Sequence, residues 1–144
     1  FAYSDRSGDG LSAKGSSRGA VFDDLDNDGD LDAVILNARQ RPSLLRNDSP
    51  NQNHWIQIRL QGVQGNRDGI GARIRVIAGD LTLTDEVRSG RGYQSHFGAY
   101  PHFGLGQHSR VDRIEIRWPG GGTQVVENVA TRQILSIQQG QASP

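Results

Sequence analysis

Residues 23–32, DDLDNDGDLD, place six carboxylates and no cation within ten positions. Charges this close repel one another, so the stretch is held either by a cation among them or, less readily, as a solvated acidic turn whose carboxylates bond to backbone amides. The donors are hard oxygens throughout. The stretch has no His and the chain has no Cys, so zinc and copper are poor fits, while a calcium-sized cation that takes six to eight oxygens is a good one.

Numbering the loop from Asp24 puts Asp24, Asp26 and Asp28 at positions 1, 3 and 5, Gly29 at 6, Asp30 at 7 and Asp32 at 9. This is the front half of an EF-hand-type cage, in which alternate side chains converge, the glycine permits a sharp bend and position 7 offers its backbone carbonyl. Position 12, where an EF-hand needs a bidentate Glu, is Ile35, and both flanks lack helical periodicity. The spacing therefore predicts a calcium-binding β-hairpin, with ligands from Asp24, Asp26, Asp28, the Asp30 carbonyl and Asp32. Asn27 points away in such a loop, and Asp23 serves as a backbone cap. A fainter echo, DRSGDG, sets Asp5, Ser7 and Asp9 at positions 1, 3 and 5, but position 9 is Ala13, and it reads as a polar turn.

The elements that must hold this loop are strands. GAVF (19–22) and LDAVILN (31–37) flank it with Val- and Ile-rich runs. Residues 38–53, with Pro42, Pro50 and several Asn, read as a connection, with a boundary near 50. Beyond it, HWIQIRL (54–60) alternates Ile56, Ile58 and Leu60 on one face with Trp55, Gln57 and Arg59 on the other. ARIRVIA (72–78) turns Ile74 and Val76 inward, and VDRIEIRW (111–118) does so with Ile114, Ile116 and Trp118. LTLTDEVR (81–88), TQVVENV (123–129) and RQILSIQ (132–138) complete the set, separated by glycine turns in QGNRDGIG, SGRGY, FGLG and PGGG. An all-β fold follows: a calcium-binding hairpin within 1–50, then an antiparallel β-sandwich or barrel over 51–140.

Bulk properties narrow the functional classes. With 16 basic and 16 acidic residues there is no basic field for nucleic acid and no polybasic membrane patch. A mean hydropathy of −0.60 and 19 glycines suit a turn-rich β protein. No apolar run is long enough for a membrane-spanning helix, and no signal peptide is present. The chain starts at Phe1 and contains no Met, which suggests a processed or excised segment.

Two resemblances organise these residues. GAVFDDLDNDGDLDAVILN is similar to one FG-GAP (VCBS-type) repeat, the calcium-binding hairpin of integrin-like β-propeller blades. NHWIQIRLQG, NRDGIGARIRV, EVRSGRGYQS, HFGLG, VDRIEIRWPGG and ILSIQ resemble, in order over 53–138, the ASPIC/UnbV domain of the cartilage acidic protein-like family. The resemblance implies an extracellular or cell-surface setting and a role in adhesion or matrix interaction, and it implies no catalytic residues. Two features depart from it. Trp118-Pro119-Gly120-Gly121 stands where the family has Trp-Pro-Ser-Gly, and one repeat alone cannot close a propeller.

Other groupings yield to plainer readings. His96, His102 and His108 lack the short pairing a zinc site needs. Ser89, Ser95, Asp85 and His96 are a composition and not a triad, so a hydrolase is the least favoured reading. Arg59, Arg73, Arg75, Arg88, Arg91, Arg113 and Arg117 read as strand-face residues with cross-strand acidic partners rather than an anionic-glycan patch. Tyr93, Phe97, Tyr100 and Phe103 read as anchors pinning a loop rather than a sugar platform. NRDGIGAR lacks a P-loop lysine, and Asn47 of NDS reads as a turn residue. The expected function is an extracellular calcium-binding adhesion or interaction module, not an enzyme, with a protein or glycan partner. The alternative is a self-associating unit of an extracellular assembly.

Overall fold

The computed structural model describes residue 10 and residues 14–140, so the Asp5–Asp9 echo lies outside the described residues. The fold is almost entirely β, and among the described residues the strands form no closed barrel. Strands β1 (Ser17–Asp23), β2 (Asp32–Asn37) and β3 (Ser43–Leu45) form one antiparallel sheet in that order. The rest is two sheets. Strands β4 (His54–Gln61), β7 (His102–Gly106) and β10 (Gln133–Gln138) form one, in the order β10-β4-β7. Strands β5 (Arg73–Ala78), β6 (Leu81–Glu86), β8 (Arg110–Arg117) and β9 (Thr123–Ala130) form the other, in the order β6-β5-β8-β9.

Alternation accounts for the core between these two sheets. Ile56, Ile58, Leu60, Phe103, Leu105 and Ile137 from the first meet Ile74, Val76, Ile114, Ile116, Val126 and Val129 from the second in a single buried cluster. A strand presents every second side chain to one face, so this is the packing that the period of two demands. On the opposite face of the second sheet Arg73, Arg75 and Arg113 find acidic partners, across strands except for Arg113 with Glu115, which share β8. Arg73 lies 3.5 Å from Glu86, Arg75 lies 3.3 Å from Glu115, and Arg113 reaches both Glu115 and Glu127.

Four features differ from the sequence expectation. FGLG is not a turn but most of β7: Phe103 and Leu105 enter the core, and the intervening Gly104 leaves the other face bare. β3 lies inside the segment read as connection, because three residues are too few to show a period. β10 runs parallel to β4, in register from Gln133 opposite Ile56 to Gln138 opposite Gln61. The chain crosses from β9 to the other sheet through Thr131–Arg132 instead of folding back as a hairpin, and parallel pairing follows. Finally, β4 is not half-exposed, since Trp55 and Gln57 are buried together with the Ile56 face.

That last difference positions the acidic loop. The β1–β2 hairpin lies against the outer face of β4, and Gln57 Nε2 donates to Asp23 Oδ1 at 2.9 Å. Gly29 abuts the Trp55 ring so closely that a Cβ there would fall 2.0 Å from indole Nε1. Trp55 in turn stacks on His102 of β7, with ring centroids 5.5 Å apart.

Candidate functional site

After a register shift between Ser17 and Gly19, β1 and β2 pair residue by residue up to Asp23 opposite Asp32, and the loop between them carries the acids. The loop folds on itself through carboxylate-to-backbone bonds, as Asp-rich turns do. Asp24 accepts from the amides of Asp28 (3.1 Å) and Gly29 (2.9 Å), and Asp28 accepts from the Asp30 amide at 2.8 Å. Gly29 takes φ +100°, a conformation open to glycine at little cost. Asp23 accepts from the Asp24 amide at 3.0 Å, the capping role read from its position, and Asn27 is exposed at φ +62°.

These turns bring Asp24, Asp26 and Asp28 together, with one oxygen of each within 4.8 Å of the others. Such a group could hold an ion. Among the described residues none of the three makes a salt bridge. Arg46 feels Asp26 and Asp32 only as lesser influences, because its partner is Asp48 at 2.7 Å. Asp24, 9% exposed, has its carboxyl pushed above the ordinary range. Burial is the main cause and the Asp28 charge adds to it, while the backbone amides of Gly29, Asn27 and Asp28 oppose. A cation in the cluster would reverse that shift by favouring the ionised form.

Asp30 and Asp32 stand apart from the trio. The Asp30 carboxylate turns to Asn51, whose Nδ2 lies 2.9 Å from each oxygen. Asp32, 2% exposed, accepts from the Leu25 amide at 3.1 Å and the Asn47 amide at 2.8 Å, tying the loop's entry to the segment after β3. Each of its oxygens keeps a further lone pair.

Residues that local patterning passed over surround the loop. Gln57 links the hairpin to the Tyr100 carbonyl as well as to Asp23, and Trp55 walls in Gly29. His102 is buried against Trp55 with Nε2 unpartnered, and burial holds its pKa below the ordinary histidine value. Asp24, Asp23 and Asp30 pull the other way, in that order, with a smaller pull from the Gly29 backbone. The only sequence signal for these residues was an amide and an indole placed where strand alternation predicted an exposed face.

The other candidates separate in space or find local partners. His96 Nδ1 accepts from the Gly90 amide, Asp85 is engaged by Arg88 and Arg91, and the Ser95 hydroxyl donates to the Arg91 carbonyl, so no triad forms. His108 lies 3.4 Å from Asp80. Of the four aromatics read as loop anchors, Phe103 is core and Phe97 meets Phe22 edge-on, whereas Tyr100, under Arg59, and Tyr93 are 40% and 66% exposed, so the anchoring reading holds for two of them and not for Tyr93. Asn47 caps a turn through Ser49, and Asn66 does the same for the amides of Asp68 and Ile70 in NRDGIGAR.

The family model described as ASPIC and UnbV matches residues 62–144, more than half of the chain. The chain belongs to the ASPIC and UnbV family. Its relatives include human cartilage acidic protein 1, 30% identical over 137 residues, and the mouse protein of the same name, 29% identical over the same length. Each comparison covers 90% of this chain and 20% of the relative, so the chain spans about a fifth of the length of the curated relatives it matches. The ASPIC and UnbV match begins within the turn after β4, downstream of the acidic loop. The longer comparisons leave only a tenth of the chain uncovered and therefore reach into that loop whichever end is trimmed. Among the described residues no helix is long and apolar enough to cross a membrane.

Proposed function

We propose that this chain is a calcium-binding interaction module of an extracellular protein, without catalytic activity, in which the cation plays a structural part. The observation that carries this is the convergence of Asp24, Asp26 and Asp28 within 4.8 Å, in a loop whose amides already orient the carboxylates. The donor set fits calcium: three carboxylates, the Asp30 carbonyl and the free lone pairs of Asp32 are all hard oxygens, and neither Cys nor His is among them. When bound, the ion would neutralise a cluster with which no Lys or Arg among the described residues forms a salt bridge, and its binding energy would add to folding.

On this reading residues 1–50 carry a single FG-GAP-like hairpin and residues 51–140 an ASPIC/UnbV sandwich, with the hairpin docked on β4 through Trp55 and Gln57. The partner is a protein or glycan outside the cell, in keeping with relatives named for cartilage. A second reading, self-association, draws support from the outer sheet. Val21, Val34 and Leu44 are register neighbours across its three strands, with Leu36 on the same face, and Leu44 is 65% exposed.

Thermal unfolding in EDTA and across a calcium series tests the cation. At 100 times its Kd calcium adds about 2.7 kcal/mol to the folded state, a rise of roughly 5–10 °C for a chain of this size. Asp28→Asn removes the rise while leaving the melting temperature in EDTA close to that of the parent. An unchanged melting temperature in millimolar calcium would refute the reading.

A further inference from the structure

A cavity of about 770 Å³ opens where the acidic loop, the segment after β3 and the β9–β10 corner meet, with Asp28, Asp30, Asn51, His54, Trp55 and Arg132 among its lining. Its size is within the roughly 300–1,000 Å³ of small-molecule sites, but its walls are polar where most such sites are apolar.

The polar groups are held in place. Asn51 donates to both oxygens of Asp30 and accepts from the Asn53 amide at 3.0 Å, which fixes the carboxylate and leaves it spare lone pairs. Arg132 adopts φ +58°, a left-handed conformation that costs a non-glycine residue strain and tends to persist where function requires it. Its backbone amide donates to the Trp55 carbonyl at 2.6 Å. One guanidinium nitrogen donates to the Gln52 carbonyl at 2.8 Å, and other N–H groups remain to serve a ligand.

His54 is anchored by the 2.6 Å contact between its Nδ1 and Thr131 Oγ1, a hydroxyl that also lies 3.0 Å from the Ser109 carbonyl, and this leaves Nε2 to pair with a ligand hydroxyl. The lining thus sets the Asp30 carboxylate and the His54 ring against the donors of Arg132, with the exposed edge of the mostly buried Trp55 indole between them.

We infer that this cavity binds a neutral saccharide. A sugar hydroxyl donates and accepts at once, which suits walls that offer both, whereas an apolar ligand would leave these groups unpaired. The five carboxylates of Asp24, Asp26, Asp28, Asp30 and Asp32 outweigh one calcium ion and the Arg132 guanidinium, which disfavours an anionic sugar. Asp30 takes a hydroxyl proton, the free ring nitrogen of His54 pairs with a hydroxyl, and Arg132 donates to a hydroxyl or ring oxygen. This extends the interaction-module reading by giving its partner a chemistry and a place.

The test is calorimetric titration of the full chain, in calcium, with neutral xylo-, cello-, manno- and chito-oligosaccharides and with a heparin fragment as the anionic arm. Arg132→Gly is the decisive variant, because glycine accepts φ +58° and removes only the side chain. It lowers affinity for the neutral ligand about tenfold or more, with the calcium-dependent melting shift intact. The inference fails if no neutral oligosaccharide binds at millimolar concentration, if Arg132→Gly binds as well as the parent, or if the heparin fragment is preferred. Calcium stabilisation without sugar binding overturns this inference alone. Sugar binding lost in Arg132→Gly but without a calcium shift supports it and overturns the cation reading alone.

Discussion

Gly29→Ala probes the contact that joins the acidic hairpin to the sandwich. A Cβ at residue 29 would fall 2.0 Å from Trp55 Nε1, 2.1 Å from Cδ1 and 2.7 Å from Cε2, all far inside van der Waals contact. The indole is 8% exposed and stacked on His102, so it has no free direction in which to yield. Alanine at φ +100° also carries backbone strain of roughly 1–3 kcal/mol. If the loop lifts away, much of the Trp55 contact goes with it, and complete loss of a buried tryptophan costs about 3–5 kcal/mol. The expected destabilisation is therefore about 3–5 kcal/mol, or roughly 6–20 °C in melting temperature.

Thermal unfolding combined with tryptophan emission in a Trp118→Phe background reads both parts, since Trp55 is then the sole reporter. Gly29→Ala shifts its emission to the red as the indole meets water. In a Trp55→Val background the same substitution costs only the backbone share, because the conflicting ring atoms are gone. Equal costs in the two backgrounds, or an unmoved emission maximum in the first, would show that the hairpin does not dock through this contact.

Two further outcomes follow from the same geometry. His102 binds its proton less readily folded than unfolded, so the folded state takes up fewer protons as pH falls below the ordinary histidine value of ~6.5, and stability drops there. Urea unfolding in EDTA between pH 7.5 and 5 should show that drop, and His102→Phe, which keeps the stack on Trp55, should flatten it; an identical slope in both proteins would place the neutral imidazole elsewhere. On the outer sheet, Leu44→Lys should change monomer stability by no more than about 0.5 kcal/mol. Sedimentation should show concentration-dependent association in the parent and not in the variant, and a parent that stays monomeric throughout would remove the self-association reading.

Much of the molecule is legible without coordinates because its causes are local. Asp24, Asp26 and Asp28 converge because alternate residues of a tight loop share a side and Gly29 permits the bend, and both facts lie within six positions. The core faces of β4, β5 and β8 follow from a period of two in Ile56–Leu60, Ile74–Val76 and Ile114–Ile116. Local rules fail where a residue's role depends on a distant neighbour. Gly104 reads as a turn residue until β4 lies beside it, and three residues of β3 show no period.

The sequence by itself determined the all-β class, the acidic loop and the side of each long strand that faces the core, since spacing along the chain is sufficient for each. The tertiary structure alone decided that the loop packs on Trp55, that Gln57 ties Asp23 to the sandwich, and that Asn51, His54 and Arg132 meet Asp30 around one cavity. The residues around that cavity lie as many as 102 positions apart, from Asp30 to Arg132. The strand crossing at Thr131–Arg132, which closes that distance, depends on how two sheets pack and leaves no periodic mark on the chain.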